Sequence, residues 1–227
     1  MTKKTRSASV ADNFSSIRII ILIVLHLVGV FGFLIDSLHP YFIQIIPYHL
    51  IFISFILFFE KSTLEPMFWL FFVFAYLIGY GAEVFGVKSG IIFGYYSYTD
   101  VLGFKIADVP VVIGLLWASV SYACNVLAIH LFPQSKVSSI ICAALLMVSF
   151  DFMLEPFAVS QGLWIWQMNE VPLFNYISWF ALGVIISSIF HYCIYNVKNE
   201  VAPYFLLTQF LFFIAQRLVV TNWGFFN

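Results

Sequence analysis

The sequence predicts an all-α polytopic membrane protein with about seven transmembrane helices. Of its 227 residues, 63% are hydrophobic and only 9% are charged, and the mean hydropathy is +1.00. A soluble domain usually carries about 25% charged residues, so this composition leaves too few charges for a water-facing surface. It excludes a cytosolic enzyme, a disordered chain and a nucleic-acid-binding protein.

Long apolar runs define the predicted helices, because a transmembrane helix needs about 20 mostly apolar residues. The strands of a β-barrel would be about half as long and would alternate with a period of two, whereas these runs are continuous. The predicted helices cover residues 17–35, 42–59, 67–85, 110–132, 137–155, 173–196 and 202–221.

Four basic residues precede the first apolar run: Lys3, Lys4, Arg6 and Arg18. The run itself is about one bilayer long, whereas a signal peptide would have a shorter core and a small-residue cleavage site. We therefore expect an uncleaved first helix, with residues 1–16 as a cytoplasmic tail and residues 17–227 as a single transmembrane domain.

Lysine and arginine in the loops predict the orientation, because these residues are enriched on the cytoplasmic side of a membrane. If the N-terminus is cytoplasmic, seven cations lie on the inner side, among them Lys61, and three lie on the outer side: Lys88, Lys105 and Arg217. We therefore expect the N-terminus in the cytoplasm and the C-terminus outside. Most carboxylates then lie at or near the outer ends of the helices.

Two outer segments follow the same pattern. In each, an acid closes a helix, a glycine seven residues later opens an aromatic patch, an acid-Val-Pro turn starts the next helix, and a tryptophan follows seven residues after the proline. The first copy has Glu83, Gly90, Asp108-Val109-Pro110 and Trp117, and the second has Glu155, Gly162, Glu170-Val171-Pro172 and Trp179. Proline and a preceding acid both favour a helix N-terminus. We therefore expect hairpins 67–132 and 137–196 to be parallel repeats about a pseudo-twofold axis along the membrane normal, with a binding site at their interface.

The second copy carries polar residues that the first copy lacks. Asp151 stands four residues before Glu155, at the position that Gly79 occupies in the first copy. In the same way, Asn175 takes the position of Ile113. Asp151 and Glu155 are one helical turn apart, so both project from the same face of their helix.

Two carboxyl groups on one helix face repel each other in a low-dielectric environment when both are ionised. One of the pair is therefore expected to keep its proton near neutral pH, as a general acid must. Ionisable groups at membrane depth are costly and usually functional, so we predict Asp151, Glu155 and Glu83 as catalytic residues. The alternative is that Asp151 and Glu155 cap loops or pair with Arg217 or a lysine.

Aromatic side chains are concentrated in the outer loops, including Phe93, Tyr95, Tyr96, Tyr98, Phe104, Trp164 and Trp166. An interfacial aromatic belt accounts for part of this set. The alternative is a lining for a long, flat, apolar ligand, with ring faces that also stabilise a cation.

Residues 81–96, 108–117, 151–156 and 162–179 carry the acids, glycines, prolines and tryptophans described above. These stretches resemble motifs of the bacterial and archaeal membrane carotenoid-biosynthesis family. That family includes the carotenoid 1′,2′-hydratases, also called bisanhydrobacterioruberin or γ-carotene hydratases. The similarity covers about residues 70–185, and the outermost helices match only in hydropathy.

The resemblance implies a cofactor-independent hydro-lyase that adds water to the terminal 1′,2′ double bond of an acyclic carotenoid end. One carboxyl group of the Asp151 and Glu155 pair would deliver a proton to C2′. Water positioned by Glu83 would then attack the tertiary cation at C1′. The residues expected to bind the substrate are Asn175, Trp164, Trp166, Asp108, Trp117, Trp179 and Tyr96.

The expected partners are a γ-carotene or lycopene-like carotenoid, membrane lipid and other carotenoid enzymes, with no nucleic acid and no metal. The resemblance and the topology together place the protein in a bacterial cytoplasmic membrane. Two alternatives stay open at this point. One is a carotenoid end-group cyclase, in which a double bond captures the same cation, and the other is a non-enzymatic transporter or lipid-binding protein.

Overall fold

The computed structural model describes residues 2–60, 64–194 and 198–223, and the side chains of residues 14–60, 64–194 and 198–218. The described residues form seven α-helices, α1 to α7: Thr2–Leu34, His39–Phe58, Pro66–Ser89, Val111–Leu131, Lys136–Ser160, Leu173–Cys193 and Val201–Trp223. Each contains an apolar segment long enough to cross a membrane. The protein is an all-α polytopic membrane protein, and the seven predicted spans are confirmed. Lys61 and the predicted boundaries at residues 196 and 227 lie outside the described residues.

Helix α1 begins at Thr2, well before the predicted start at residue 17. The segment ahead of the apolar run contains neither proline nor glycine, so no residue in it breaks the helix. The buried Arg18 side chain donates a hydrogen bond to Glu60 Oε2 at 2.6 Å and another to the Phe59 carbonyl. This ion pair ties α1 to the end of α2.

Helices α3 and α5 extend past their predicted ends. Glu83 and Glu155 therefore lie inside helices, and the prediction that they close them is wrong. Pro156 removes a single backbone donor and does not end α5. Gly90 and Gly162 follow the two helices in the left-handed conformation, with φ of +67° and +65°. Glycine adopts this conformation without strain, so the two helices end beside these residues.

Helix α4 is the centre of the bundle and packs against α2, α3, α5, α6 and α7. In its most apolar segment 83% of the residues are buried, compared with 22% for α1 and 28% for α2. Small residues such as Ala118, Ser119, Ala123 and Ala128 let the neighbouring helices approach it closely. Helices α1 and α2 thus lie at the periphery of the bundle.

Two short antiparallel sheets lie in the loops at one end of the bundle, which we call the sheet end. Strand β1 pairs with β4, and β2 pairs with β3; their ranges are Tyr96–Tyr98, Lys105–Ile106, Val109–Pro110 and Trp164–Trp166 in chain order. The sequence did not predict these strands. The β1–β4 sheet joins the two repeats, because β1 follows α3 and β4 follows α5.

Equivalent residues of the two repeats meet at the sheet end. In the β1–β4 sheet, Tyr96 pairs with Trp166 and Tyr98 pairs with Trp164, on either side of the central pair. The indole rings of Trp117 and Trp179 stack with centroids 3.9 Å apart and an interplanar angle of 16°. A pseudo-twofold relation between the hairpins would produce contacts of this kind, and the repeat stays a prediction.

Candidate active site

Glu83 is a buried residue near the sheet end of α3. Its Oε1 accepts a hydrogen bond from Trp117 Nε1 at 3.0 Å. Its Oε2 accepts one from the Tyr98 hydroxyl at 2.8 Å and another from the Tyr96 hydroxyl. The donors belong to β1 and α4, so the first repeat itself holds this carboxyl group. Three donors aimed at one carboxyl group stabilise its ionised form in a low-dielectric interior.

Tyr96 and Tyr98 stay protonated in this arrangement. Burial raises the pKa of both hydroxyl groups, and the neighbouring Glu83 carboxylate raises it further. Both residues are therefore hydrogen-bond donors, as their contacts with Glu83 require.

Glu155 is held by the second repeat in the same way. Its Oε2 accepts hydrogen bonds from Trp164 Nε1 and Trp166 Nε1, each at 3.0 Å. Alternate residues of a strand point to the same side, so β4 presents both indoles to the one carboxyl group. Each glutamate is thus bound by two aromatic side chains from the strand of its own hairpin.

Asp151 lies one turn before Glu155 on α5 and is also buried. Its Oδ2 accepts a hydrogen bond from Asn175 Nδ2 at 2.6 Å, across the contact between α5 and α6. The first repeat has no space for an equivalent pair, because a Cβ added at Gly79 would overlap the Trp117 ring. The Asp151 and Asn175 pair is thus specific to the second repeat and makes the site asymmetric.

The three carboxyl groups line a common cavity of about 20 Å³, which we call the carboxyl cavity. Its other polar and aromatic lining residues are Asn175, Tyr96, Tyr98, Phe93, Trp117, Trp164, Trp166 and Trp179. A cavity needs roughly 10–15 Å³ of such volume and two or more polar partners to hold a water molecule. The carboxyl cavity therefore has room for one water molecule among its acids.

A larger cavity of about 160 Å³, which we call the apolar cavity, adjoins the carboxyl cavity. The two cavities share Ile113, Leu116, Leu154 and Trp164 in their walls. The other lining residues of the apolar cavity come mainly from α1, α2, α5 and α7, and nearly all are apolar. The polar ones are His26, His49 and Gln209. The site thus combines a small acidic chamber with a larger apolar one.

Every predicted site residue except Asp108 lines the carboxyl cavity. Asp108 is exposed and forms the turn between β2 and β3 together with Ala107, with φ of 68° and 52° respectively. Here the acid-Val-Pro motif builds a tight turn ahead of α4, because two residues with positive φ suit a two-residue hairpin. Asp108 thus lies apart from the carboxyl cavity, and its role in substrate binding stays a prediction. Arg217, the alternative partner considered for the acids, lies over the Phe152 ring at 5.9 Å from its centroid.

Some residues of the site escape prediction from the sequence. From the sequence, Tyr98 is only one of several aromatic residues in the outer loops. In the structure its hydroxyl donates a hydrogen bond to Glu83. The alternation of Tyr96 and Tyr98 around Ser97 is a usable signal, because it places both rings on one side of a strand. The apolar residues that separate the two cavities carry no such signal, since they match the rest of the helix bundle in composition.

A model of the family described as carotenoid biosynthesis proteins matches residues 44–226, a range that contains all the acids and aromatic residues of the carboxyl cavity. This chain belongs to the carotenoid biosynthesis protein family. The family resemblance seen in the motifs is thereby confirmed.

One curated relative of this carotenoid biosynthesis protein is bisanhydrobacterioruberin hydratase of Haloarcula japonica. The two are 28% identical over 125 residues, which cover 51% of this chain and 42% of the relative. The chain therefore spans less than half the length of that protein. No solved structure matches the chain.

Proposed function

We propose that this carotenoid biosynthesis protein is a hydratase that adds one water molecule to the terminal double bond of a carotenoid end group. One observation carries the proposal: three buried carboxyl groups line a cavity with room for a water molecule, and an apolar cavity shares part of its wall. An isoprenoid end in the apolar cavity would lie with its terminal double bond beside the acids and the water.

Asp151 is the proposed proton donor. Its carboxyl group receives one hydrogen bond, from Asn175, whereas Glu155 receives two and Glu83 three. Asp151 is thus the least stabilised as a carboxylate, and the charge of Glu155 one turn away favours its protonated form. Because Asn175 binds Oδ2, Oδ1 carries the proton and delivers it to C2′. This transfer leaves a tertiary cation at C1′.

Glu155 is the proposed base. Both of its hydrogen bonds, from Trp164 and Trp166, reach Oε2, so Oε1 is available to orient the water. The water oxygen attacks C1′ and its proton passes to Glu155. That proton then returns to Asp151, because the two side chains lie one turn apart on α5. The cycle consumes one water, forms one C–H and one C–O bond, and involves no redox change.

Glu83 and the aromatic rings are proposed to stabilise the cation. The three donors favour the ionised form of Glu83, and a negative charge held there would stabilise a positive charge that develops nearby. The faces of the stacked Trp117 and Trp179 rings attract a cation as well. Hydrogen bonds occupy both oxygens of Glu83, so we assign the water to Glu155 in place of Glu83.

The space beside the acids favours hydration over cyclisation. Both reactions begin with the same protonation, but a cyclase must keep water away from the cation until a double bond captures it. The carboxyl cavity has the volume for one water molecule and several polar groups to hold it.

Expression in cells that accumulate lycopene or γ-carotene, followed by mass spectrometry of the pigment, tests the proposal. We expect a gain of one water, whereas unchanged mass with a new ring would identify a cyclase. The variants Asp151→Asn, Glu155→Gln and Glu83→Gln should each lose activity by about 100-fold or more. Glu170→Gln, an exposed loop carboxyl, is the control and should match the unmodified protein. Full activity in all three amide variants, or unchanged pigment in cells with folded protein, would refute the proposal.

A further inference from the structure

Two residues that line the apolar cavity, one on α1 and one on α2, also lie on the surface of the bundle. Val28 of α1 and Ile45 of α2 both line it, yet their side chains are 52% and 47% exposed. These helices form the periphery of the bundle and have the smallest buried shares among the seven spans of the described residues. Val28 and Ile45 therefore belong both to the cavity wall and to the lateral surface, so this part of the wall is thin.

This thin part of the wall lies away from the ends of its helices. Val28 and Ile45 each stand six residues from the sheet-end terminus of their helix, which corresponds to about 9 Å along the axis. Closer to that terminus, α1 and α2 are in tight contact, because a Cβ added at Gly32 would overlap the Phe42 ring. A ligand that passes between Val28 and Ile45 thus comes from the hydrocarbon of the bilayer.

The volume of the apolar cavity limits how much of a ligand it encloses. An engineered cavity of about 150 Å³ in another protein binds benzene, so a cavity of about 160 Å³ holds roughly six to ten carbon atoms. A carotenoid is several times larger than this. Only its terminal isoprene units fit inside, so the remaining polyene must pass through the cavity wall.

We propose that the gap between Val28 and Ile45 is a lateral entrance for an isoprenoid hydrocarbon, which inserts its end group and leaves the rest of its chain in the bilayer. The inference rests on the proposed function for the reaction at the inner end of the cavity. The position of the entrance does not depend on that reaction. It implies that the protein selects the end group and not the whole molecule. Acyclic and monocyclic carotenoids with the same open end are then equivalent substrates.

Tryptophan substitutions test the entrance. Val28→Trp and Ile45→Trp place a large ring at the entrance, and Val24→Trp and Ile51→Trp are matched controls on the same helices. Val24 and Ile51 are 50% and 51% exposed and do not line the cavity. Binding of an acyclic carotenoid is followed in detergent by the quenching of protein tryptophan emission, and hydration is followed by pigment mass.

We expect Val28→Trp and Ile45→Trp to weaken carotenoid binding by about tenfold or more, with both controls unchanged. The unmodified protein should convert acyclic and monocyclic carotenoids at rates within a few-fold of each other. Unchanged binding in both entrance variants, or equal losses in the controls, would overturn the entrance. If the unmodified protein binds the polyene but never hydrates it, the proposed function fails, and the binding measurements still decide the entrance.

Discussion

Removal of the Tyr98 hydroxyl isolates one of the three hydrogen bonds that hold Glu83. Tyr98→Phe changes the side-chain volume very little, deletes the 2.8 Å bond to Oε2 and leaves the donors from Tyr96 and Trp117 in place. A hydrogen bond to a charged group contributes about 1.5–3 kcal/mol. If the Glu83 charge acts on the cation in the transition state, the rate should fall by about 10- to 150-fold.

The assay compares turnover of a carotenoid substrate with the melting temperature of the purified protein in detergent. We expect kcat to fall while KM changes little, because the apolar contacts of the substrate are untouched. Tyr95→Phe is the control, since Tyr95 lies in the same loop and is 63% exposed. Turnover of Tyr98→Phe equal to that of Tyr95→Phe would contradict the reasoning. If Tyr98→Phe has a lower melting temperature but normal turnover, Glu83 stabilises the fold and does not act on the cation.

Three further predictions concern stability and topology. The pKa of Tyr96 and Tyr98 in the folded protein lies above the ordinary value of 10.0, so the unfolded chain loses these protons first as the pH rises. Ionisation of these tyrosines should therefore leave the melting temperature unchanged below about pH 10 and lower it above that pH. The decrease should be less steep in the double variant Tyr96→Phe, Tyr98→Phe. Parallel curves of melting temperature against pH for the two proteins would contradict this. Arg18→Ala removes the ion pair with Glu60, whose side chain is 20% exposed, and should cost about 1–3 kcal/mol of unfolding free energy. A melting temperature equal to that of Lys88→Ala, an exposed cation, would argue against that cost. A reporter that matures only in the cytoplasm should stay dark when fused to the C-terminus, as the distribution of basic residues predicts, and a bright fusion would reverse the orientation.

The seven spans were predictable because hydropathy is a local property of each segment. The helix ends were less accessible, since they depend on backbone conformation. Glu83 and Glu155 look terminal because polar loops follow within a few residues, yet the left-handed Gly90 and Gly162 mark where α3 and α5 end. Pro156 suggests an early end to α5, but a proline removes one donor and the helix continues to Ser160.

The convergence of the acids was predictable from the repeated pattern, because two similar hairpins place equivalent residues at one membrane level. The β1–β4 sheet was not predictable from the sequence. Its strands have three residues each and are rich in tyrosine or tryptophan, which an interfacial aromatic belt would explain equally well. Asp108 lies apart from the other predicted site residues because its motif builds the turn before α4. The apolar cavity could not be predicted from the sequence, because lipid-facing and cavity-facing residues of a membrane helix are equally apolar.

The asymmetry between the repeats explains how a pseudo-twofold scaffold would support a reaction with one direction. Glu83 and Glu155 alone would form two similar carboxyl groups, each held by aromatic donors, with nothing to give them different roles. Hydration needs a proton donor and a base at different positions along the double bond. In the proposed mechanism Asp151 and Asn175 would supply the donor in the second repeat only, while glycine at position 79 leaves the first repeat without an equivalent pair. In this proposal the two repeats provide glutamates at equivalent positions, and a single departure from symmetry provides the acid.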